Sequence, residues 1–297
     1  MDADLDSLLT MVFCTADDLL PTPAGNARRM VTDAEVVTLA VAQVLLGYHD
    51  SDRRFLAAAQ RRLAHLFPVI PTQDAFHKRR ARLESQIEWL IGIFAAQSPG
   101  YHDTMLVLDS TPVETARSRE TVKRAGDSCL ADAIGDAAGY GYSASHSRFF
   151  YGMRLHLLCA LDGTPRAATL WSPERGEREV AVGLLARAGL HGPVTVIADK
   201  GYAGAEFHTA AAQLGATIIR PNRKTEPRQA PIISGIRQRV ESIINTTKST
   251  LGLERHGART LHNLRIRICV RLLTLAACIT HNHQLGLPSR HLTPYTV

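Results

Sequence analysis

The sequence predicts an α/β chain: a mixed-sheet core, preceded by an all-helical region of about a hundred residues and followed by a helical C-terminal segment. Three observations carry this. Apolar residues recur at helical spacing as far as Gln97, short apolar runs follow the break at Ser98-Pro99-Gly100, and strand-like and helical stretches then alternate up to Ile219. At 297 residues and 45% hydrophobic content the chain can bury more than one core, so disorder is excluded as its main state.

In the helical region, Thr32-Asp33-Ala34-Glu35 is a capping-box start for a helix carrying Val36, Leu39, Ala40 and Val44. Pro68 and Pro71 break the pattern. Thr72 to Asp74 then caps a second helix whose inward set is Phe76, Leu83, Ile87, Leu90, Ile91 and Phe94. The arginines and lysine of this region, Arg53, Arg54, Arg61, Arg62, Lys78, Arg79, Arg80 and Arg82, are expected on exposed faces, either as phosphate contacts or as ordinary solvated charge.

Past the break, Thr104 to Asp109 reads as a buried strand, Gly152 to Leu161 as a second and Arg166 to Trp171 as a third, with Asp162-Gly163 as the turn between the last two. A helix over Gly176 to Ala188, a strand over Val194 to Asp199, a helix over Gly204 to Leu214 and a strand over Ala216 to Ile219 follow. A last helix, about Gly235 to Thr250, sets Ile236, Val240, Ile243, Ile244 and Leu251 on one stripe and Arg237, Glu241, Asn245 and Lys248 on the other. Leu272 to Thr280 is a core helix. The domain reading is therefore 1–100 helical, 101–256 the α/β core with a flexible polar insertion at 111–147, and 257–297 a helical segment and tail.

The net charge of +6 favours a polyanionic partner, and its distribution says more: twelve basic and three acidic residues lie between Arg220 and Arg271. The five cysteines form no C-x-x-C pair, the N-terminus is acidic, and no apolar run approaches the roughly 20 residues of a membrane span, so the expectation is a reduced, cytoplasmic compartment and no membrane. Zinc-finger spacing, the serine-elbow pattern and a phosphate loop are all missing, which removes those classes.

Asp109 and Asp199 each end an apolar run, where a carboxylate is costly to place unless something repays it, and α/β sheets build their sites at such strand ends. A strand-end turn is the plain alternative for each. Glu241 lies on the polar stripe of the basic helix, with a surface salt bridge to Arg237 or Arg239 as its plain alternative. Three carboxylates brought together repel one another, and hard divalent cations such as Mg²⁺ relieve that repulsion. Two such ions about 3.5 to 4 Å apart suit phosphodiester chemistry. Arg237, Arg239, Lys248 and Lys200 would then face the DNA backbone, Tyr202 would pack beside the site, and His156 would be a core or cleft histidine.

These residues resemble a family. Asp109, the hairpin, Asp199-Lys200-Gly201-Tyr202 and then Arg237-x3-Glu241-x6-Lys248 look like a DDE transposase of the bacterial insertion-sequence type. The nearest groups are the insertion sequence 4 superfamily and, within it, the insertion sequence 982 family. Ser234 stands where the superfamily signature has Tyr, and Tyr151-Gly152-Met153-Arg154-Leu155-His156 resembles its Gly-aromatic-Lys-Leu-His strand. The resemblance implies an RNase H-like core with Asp109, Asp199 and Glu241 as catalytic metal ligands for two Mg²⁺ ions, which Mn²⁺ can replace. It also implies cleavage and strand transfer on double-stranded DNA at transposon ends, a homodimer on that DNA, and a bacterial, nucleoid-associated location. A nuclease that cuts without joining and a catalytically silent DNA-binding relic are the alternatives.

Overall fold

A computed structural model describes residues 4–21, 30–116, 138–143, 147–222 and 241–296. They fall into two compact units. The first joins the N-terminal residues up to Ser98 to 246–258 and 262–297; the second comprises 99–245 with 259–261. The C-terminal segment is thus part of the helical unit.

In the helical unit, α1 (Leu5–Leu19) starts at Asp4, whose carboxylate accepts the Ser7 N–H at 2.7 Å, and α2 (Asp33–Leu45) starts on the expected capping box of Thr32 and Glu35. Helices α3 (Asp52–Arg62) and α4 (Gln73–Arg82) are capped by the Ser51 and Thr72 hydroxyls. The single helix expected after Thr72 is two: Leu83 closes α4 and opens α5 (Glu84–Ala96), a break without Gly or Pro. Every residue of α2 from Val36 to Leu45 is buried, and the core also takes Leu8 and Val12 of α1, Phe55, Phe76, and Leu273 and Ala277 of the long C-terminal helix Leu261–Gln284.

Two basic readings need correction here. Arg80, expected on an exposed face, is 2% exposed, because both of its terminal nitrogens reach the Asp52 carboxylate, at 3.0 and 2.9 Å. Arg267 and Arg271 of the basic C-terminal run are also buried, bonded to Asp52 and to backbone carbonyls, and so present no charge to a partner.

The second unit is built on six strands among the described residues: β1 (Met105–Ala116), β2 (Gly139–Ser143), β3 (Arg148–Ala160), β4 (Pro165–Trp171), β5 (Val194–Ala198) and β6 (Ala216–Ile219). The order is β2-β3-β1-β5-β6, and β2 and β4 share the outer edge of β3. Pairings β1–β5 and β5–β6 are parallel and the rest antiparallel, the mixed sheet the sequence predicts. Helices α6 (Glu177–Arg187) and α7 (Ala205–Gln213) supply Ala181, Leu184, Leu185, Phe207 and Ala211 to a core with Leu106, Leu108, Leu158 and Val196.

Three sequence boundaries shift. Strand β1 does not stop at Asp109 but runs to Ala116, because β3 pairs with it throughout, while β5 leaves it after Leu108. Pro112, which cannot donate to a ladder, falls in that one-sided stretch. The region read as a flexible insertion is partly sheet, since it contains the end of β1 and all of β2; residues 117–137 and 144–146 lie outside the described residues. Of the last predicted helix, 241–245 are helical and Thr246–Thr250 form a π-helical turn, while the segment carrying Ser234, Arg237 and Arg239 lies outside the described residues.

Candidate active site

The site grows from the register of two parallel strands. Leu106 and Leu108 in β1 and Val196 and Ala198 in β5 are all buried, as strands covered on both faces must be. Leu108 is paired with Ala198, so the next residues, Asp109 within β1 and Asp199 just past the end of β5, lie side by side. Strands in a sheet lie about 4.8 Å apart, which puts two carboxylates within ion-sharing reach. Both use the same local geometry: each Oδ1 accepts the following residue's N–H, from Ser110 and from Lys200, at 2.7 Å. Asp109 is half-buried and Asp199 exposed, so the pair opens toward solvent on the Asp199 side.

Tyr202 closes the inner wall. The short turn Lys200–Tyr202 drops its ring into the core, 1% exposed and 5.9 Å from Phe207. Burial pushes its phenol up first and the Asp109 carboxylate second, with Asp199 adding to the rise and the Ser110 hydroxyl opposing it. Both aspartates therefore act on one buried hydroxyl, an electrostatic sign that their fields overlap. The phenol stays protonated at neutral pH, which fits the packing role read from sequence.

Around the pair stands a polar cluster that sequence reasoning did not assign. Arg154 of β3 makes an ion pair with Glu177 at the start of α6 and approaches the Ser110 Oγ at 3.4 Å and the Tyr142 carbonyl at 3.3 Å. Ser110 in turn donates to Glu177 Oε1 at 3.0 Å. Burial lowers the Arg154 pKa, against which Tyr202 and Asp109 pull it up. The cluster fixes β1 immediately past Asp109. A signal was available: Arg154 occupies the Lys position of the Gly-aromatic-Lys-Leu-His strand.

The remaining residues fall in different places. Lys200 is exposed directly after Asp199. Glu241 is exposed at the head of the helical segment 241–245. Lys248 belongs to the helical unit, its Nζ 3.9 Å from Glu254. Arg237 and Arg239 lie outside the described residues. Among the described residues no three His, Cys, Asp or Glu side chains stand close enough together to hold a metal ion; the register joins two of the three expected carboxylates. His156 is a buried core residue, its pKa pushed down to about 4 by burial and then by Arg154, so it is neutral. Asp162 is the hairpin residue expected, accepting from the Thr164 N–H at 2.8 Å and its hydroxyl at 2.9 Å.

The donor set next to the Leu108–Ala198 pairing fits a hard divalent cation. It offers two carboxylates, one of them exposed, and the charge of both reaches the same buried hydroxyl.

Fold and site together define an α/β protein with two carboxylates side by side on its mixed sheet. The chain belongs to the transposase DDE domain family, which matches residues 100–277. The fold is also that of a solved piggyBac transposase, determined as a synaptic complex with hairpin DNA: the TM-score is 0.50 at 10% identity, over 98% of this chain and 75% of that one. No curated protein matches the chain in sequence. No helix among the described residues is long and apolar enough to cross a membrane.

Proposed function

We propose that this transposase cuts and joins double-stranded DNA at the terminal inverted repeats of its own insertion sequence, and that within the family it stands near the insertion sequence 982 group. The observation that carries the proposal is the Leu108–Ala198 register, which sets Asp109 and Asp199 side by side. These two carboxylates would hold Mg²⁺ or Mn²⁺, two ions in the full site. Glu241 is the third ligand, assigned on the Arg237-x3-Glu241-x6-Lys248 spacing. Bound there, divalent cations supply a more acidic attacking water and charge relief for the departing oxygen.

The chain's own residues orient and screen. Tyr202 and Ser110 keep the back of the Asp109 carboxylate dry, and Arg154, neutralised by Glu177, holds β1 rigid without cancelling the charge of the aspartates. Lys200, exposed beside Asp199, would contact the phosphate backbone; Arg237, Arg239 and Lys248 are assigned to DNA from the sequence motif. Two protomers act on paired ends.

The test is a supercoiled plasmid carrying the element's ends, incubated with protein and Mg²⁺. Cleaved and joined products are expected, with Asp109→Asn and Asp199→Asn retaining DNA binding and losing both products. Cleavage without joining would assign a nuclease instead, and binding without cleavage a silent relic.

A further inference from the structure

The helical unit carries a polar knot that the transposase reading does not use. Arg80 of α4 and Arg267 and Arg271 of the C-terminal helix, with Gln43 and His49, line a cavity of about 10 Å³. Each of these five residues is less than a tenth exposed. The space suits one water-sized particle and is too small for a polyatomic oxyanion.

The three arginines around the cavity all have hydrogen-bond partners, but their charge is not balanced. Arg80 donates to Gln43 Oε1 and Asp52, Arg267 to Asp52 and the His49 carbonyl, and Arg271 to the carbonyls of Gly252, Arg267 and His49. Carbonyls carry no net charge, so among the described residues Asp52 is the carboxylate in contact with this group, and it touches Arg80 and Arg267 but not Arg271. His77 leans on the same carboxylate at 3.2 Å, and at longer range Asp50 acts on Arg267 and Arg255 on Arg271, which offset each other. A buried excess of positive charge is costly to hold. It shows on Arg271, whose pKa is pushed down to about 9 by burial and then by Arg267, Arg80 and Arg255.

A second observation concerns His49, which also lines the cavity: it is 4% exposed and its Nδ1 has no hydrogen-bond partner among the described residues. Burial, then Arg271, pushes its pKa down to about 4, so the imidazole is neutral and adds no charge. Gly252, with φ +63°, packs so tightly on the imidazole that any side chain there would collide with it, which fixes the ring in place.

We propose that this cavity binds a single halide ion, chloride in the cell, held by Arg80, Arg267, Arg271 and the His49 ring, and that the ion supplies the negative charge the helical unit lacks. The test is unfolding of the full chain at pH 7 and constant ionic strength while chloride replaces gluconate. Once chloride exceeds its Kd, each tenfold increase should lower the unfolding constant about tenfold. Bromide should substitute and sulfate should not. Arg271→Met should abolish the chloride dependence, while Arg53→Met, on the exposed face of α3, should keep it. Because Arg271→Met can fail to fold, bromide-soaked crystals of the unaltered chain decide independently: an anomalous peak between Arg267 and Arg271 is expected. Equal stability in chloride, gluconate and sulfate, or no such peak, would overturn the proposal.

Discussion

Each unit of the chain contains arginines against carboxylates, and the two arrangements are built in opposite senses. In the helical unit a single buried carboxylate, Asp52, is bonded by Arg80 and Arg267. Burial works to raise its pKa, but Arg80 and Arg267 outweigh it and hold the carboxyl well below the usual carboxylate range. In the sheet unit two carboxylates, Asp109 and Asp199, share one neighbourhood, and the nearby guanidinium, Arg154, is engaged by a third acid, Glu177. One region buries its acid under cations. The other keeps negative charge at a solvent-facing edge, where it can recruit cations. The contrast separates a carboxylate buried as a counter-ion from the two proposed as metal ligands more clearly than burial alone.

The largest expected effect breaks the functional side. Asp109→Asn and Asp199→Asn should each lower cleavage by about three orders of magnitude or more, with unfolding midpoints near those of the unaltered chain, because their neighbourhood tolerates loss of negative charge. A collapse of the fold in either variant would make that aspartate structural.

The converse holds for Asp52. Asp52→Asn leaves Arg80 and Arg267 buried without their counter-ion and should cost about 3 to 5 kcal/mol in urea unfolding. Retained stability would show that the knot contributes little.

Acid should weaken the fold through His49. The folded-state pKa of His49 is about 4, below its unfolded value near 6.5, so the unfolded chain binds more protons between those values. Stability is then full above pH 6.5 and falls as pH drops toward 4, by on the order of 3 kcal/mol for this residue. Asp52, also depressed, adds a loss only as pH falls below the ordinary carboxylate range. His156, also pushed down to about 4, adds a loss in the same window, so His49→Phe should shrink the first phase without abolishing it; an unchanged pH profile would remove His49 as a source.

The smallest effect is expected at exposed ion pairs. Arg54 and Asp50 meet at 2.7 Å with side chains 66% and 52% exposed, so Arg54→Ala should change stability by less than about 1 kcal/mol. A larger loss would mean that surface charge matters as much as the buried knot.

Much of this was legible in the sequence because it was local. The capping box at Thr32, the Thr72 cap, the Asp162 turn and the strand Ala216–Ile219 depend on near neighbours. The two aspartates could be read because each is the first charged residue after a buried apolar run. What was missed depends on distant pairing. Strand β2, Gly139-Tyr140-Gly141-Tyr142-Ser143, has glycines where strands favour branched residues and exists through its ladder with Phe149 to Gly152. The burial of Arg80 depends on Asp52 and that of Arg267 on the same carboxylate 215 residues away, so charge counting read both as surface. The Arg154–Glu177–Ser110 cluster joins three separate elements, so the strand motif could flag Arg154 but not its partners.

The central claim is that Asp109 and Asp199 together form one cation site. Calorimetric titration of the full chain with Mn²⁺ tests it without DNA or turnover. Binding is predicted for the unaltered chain and loss of it for Asp109→Asn and Asp199→Asn alike, with Asp52→Asn, if folded, still binding. Undiminished Mn²⁺ affinity in both active-site variants would contradict the account.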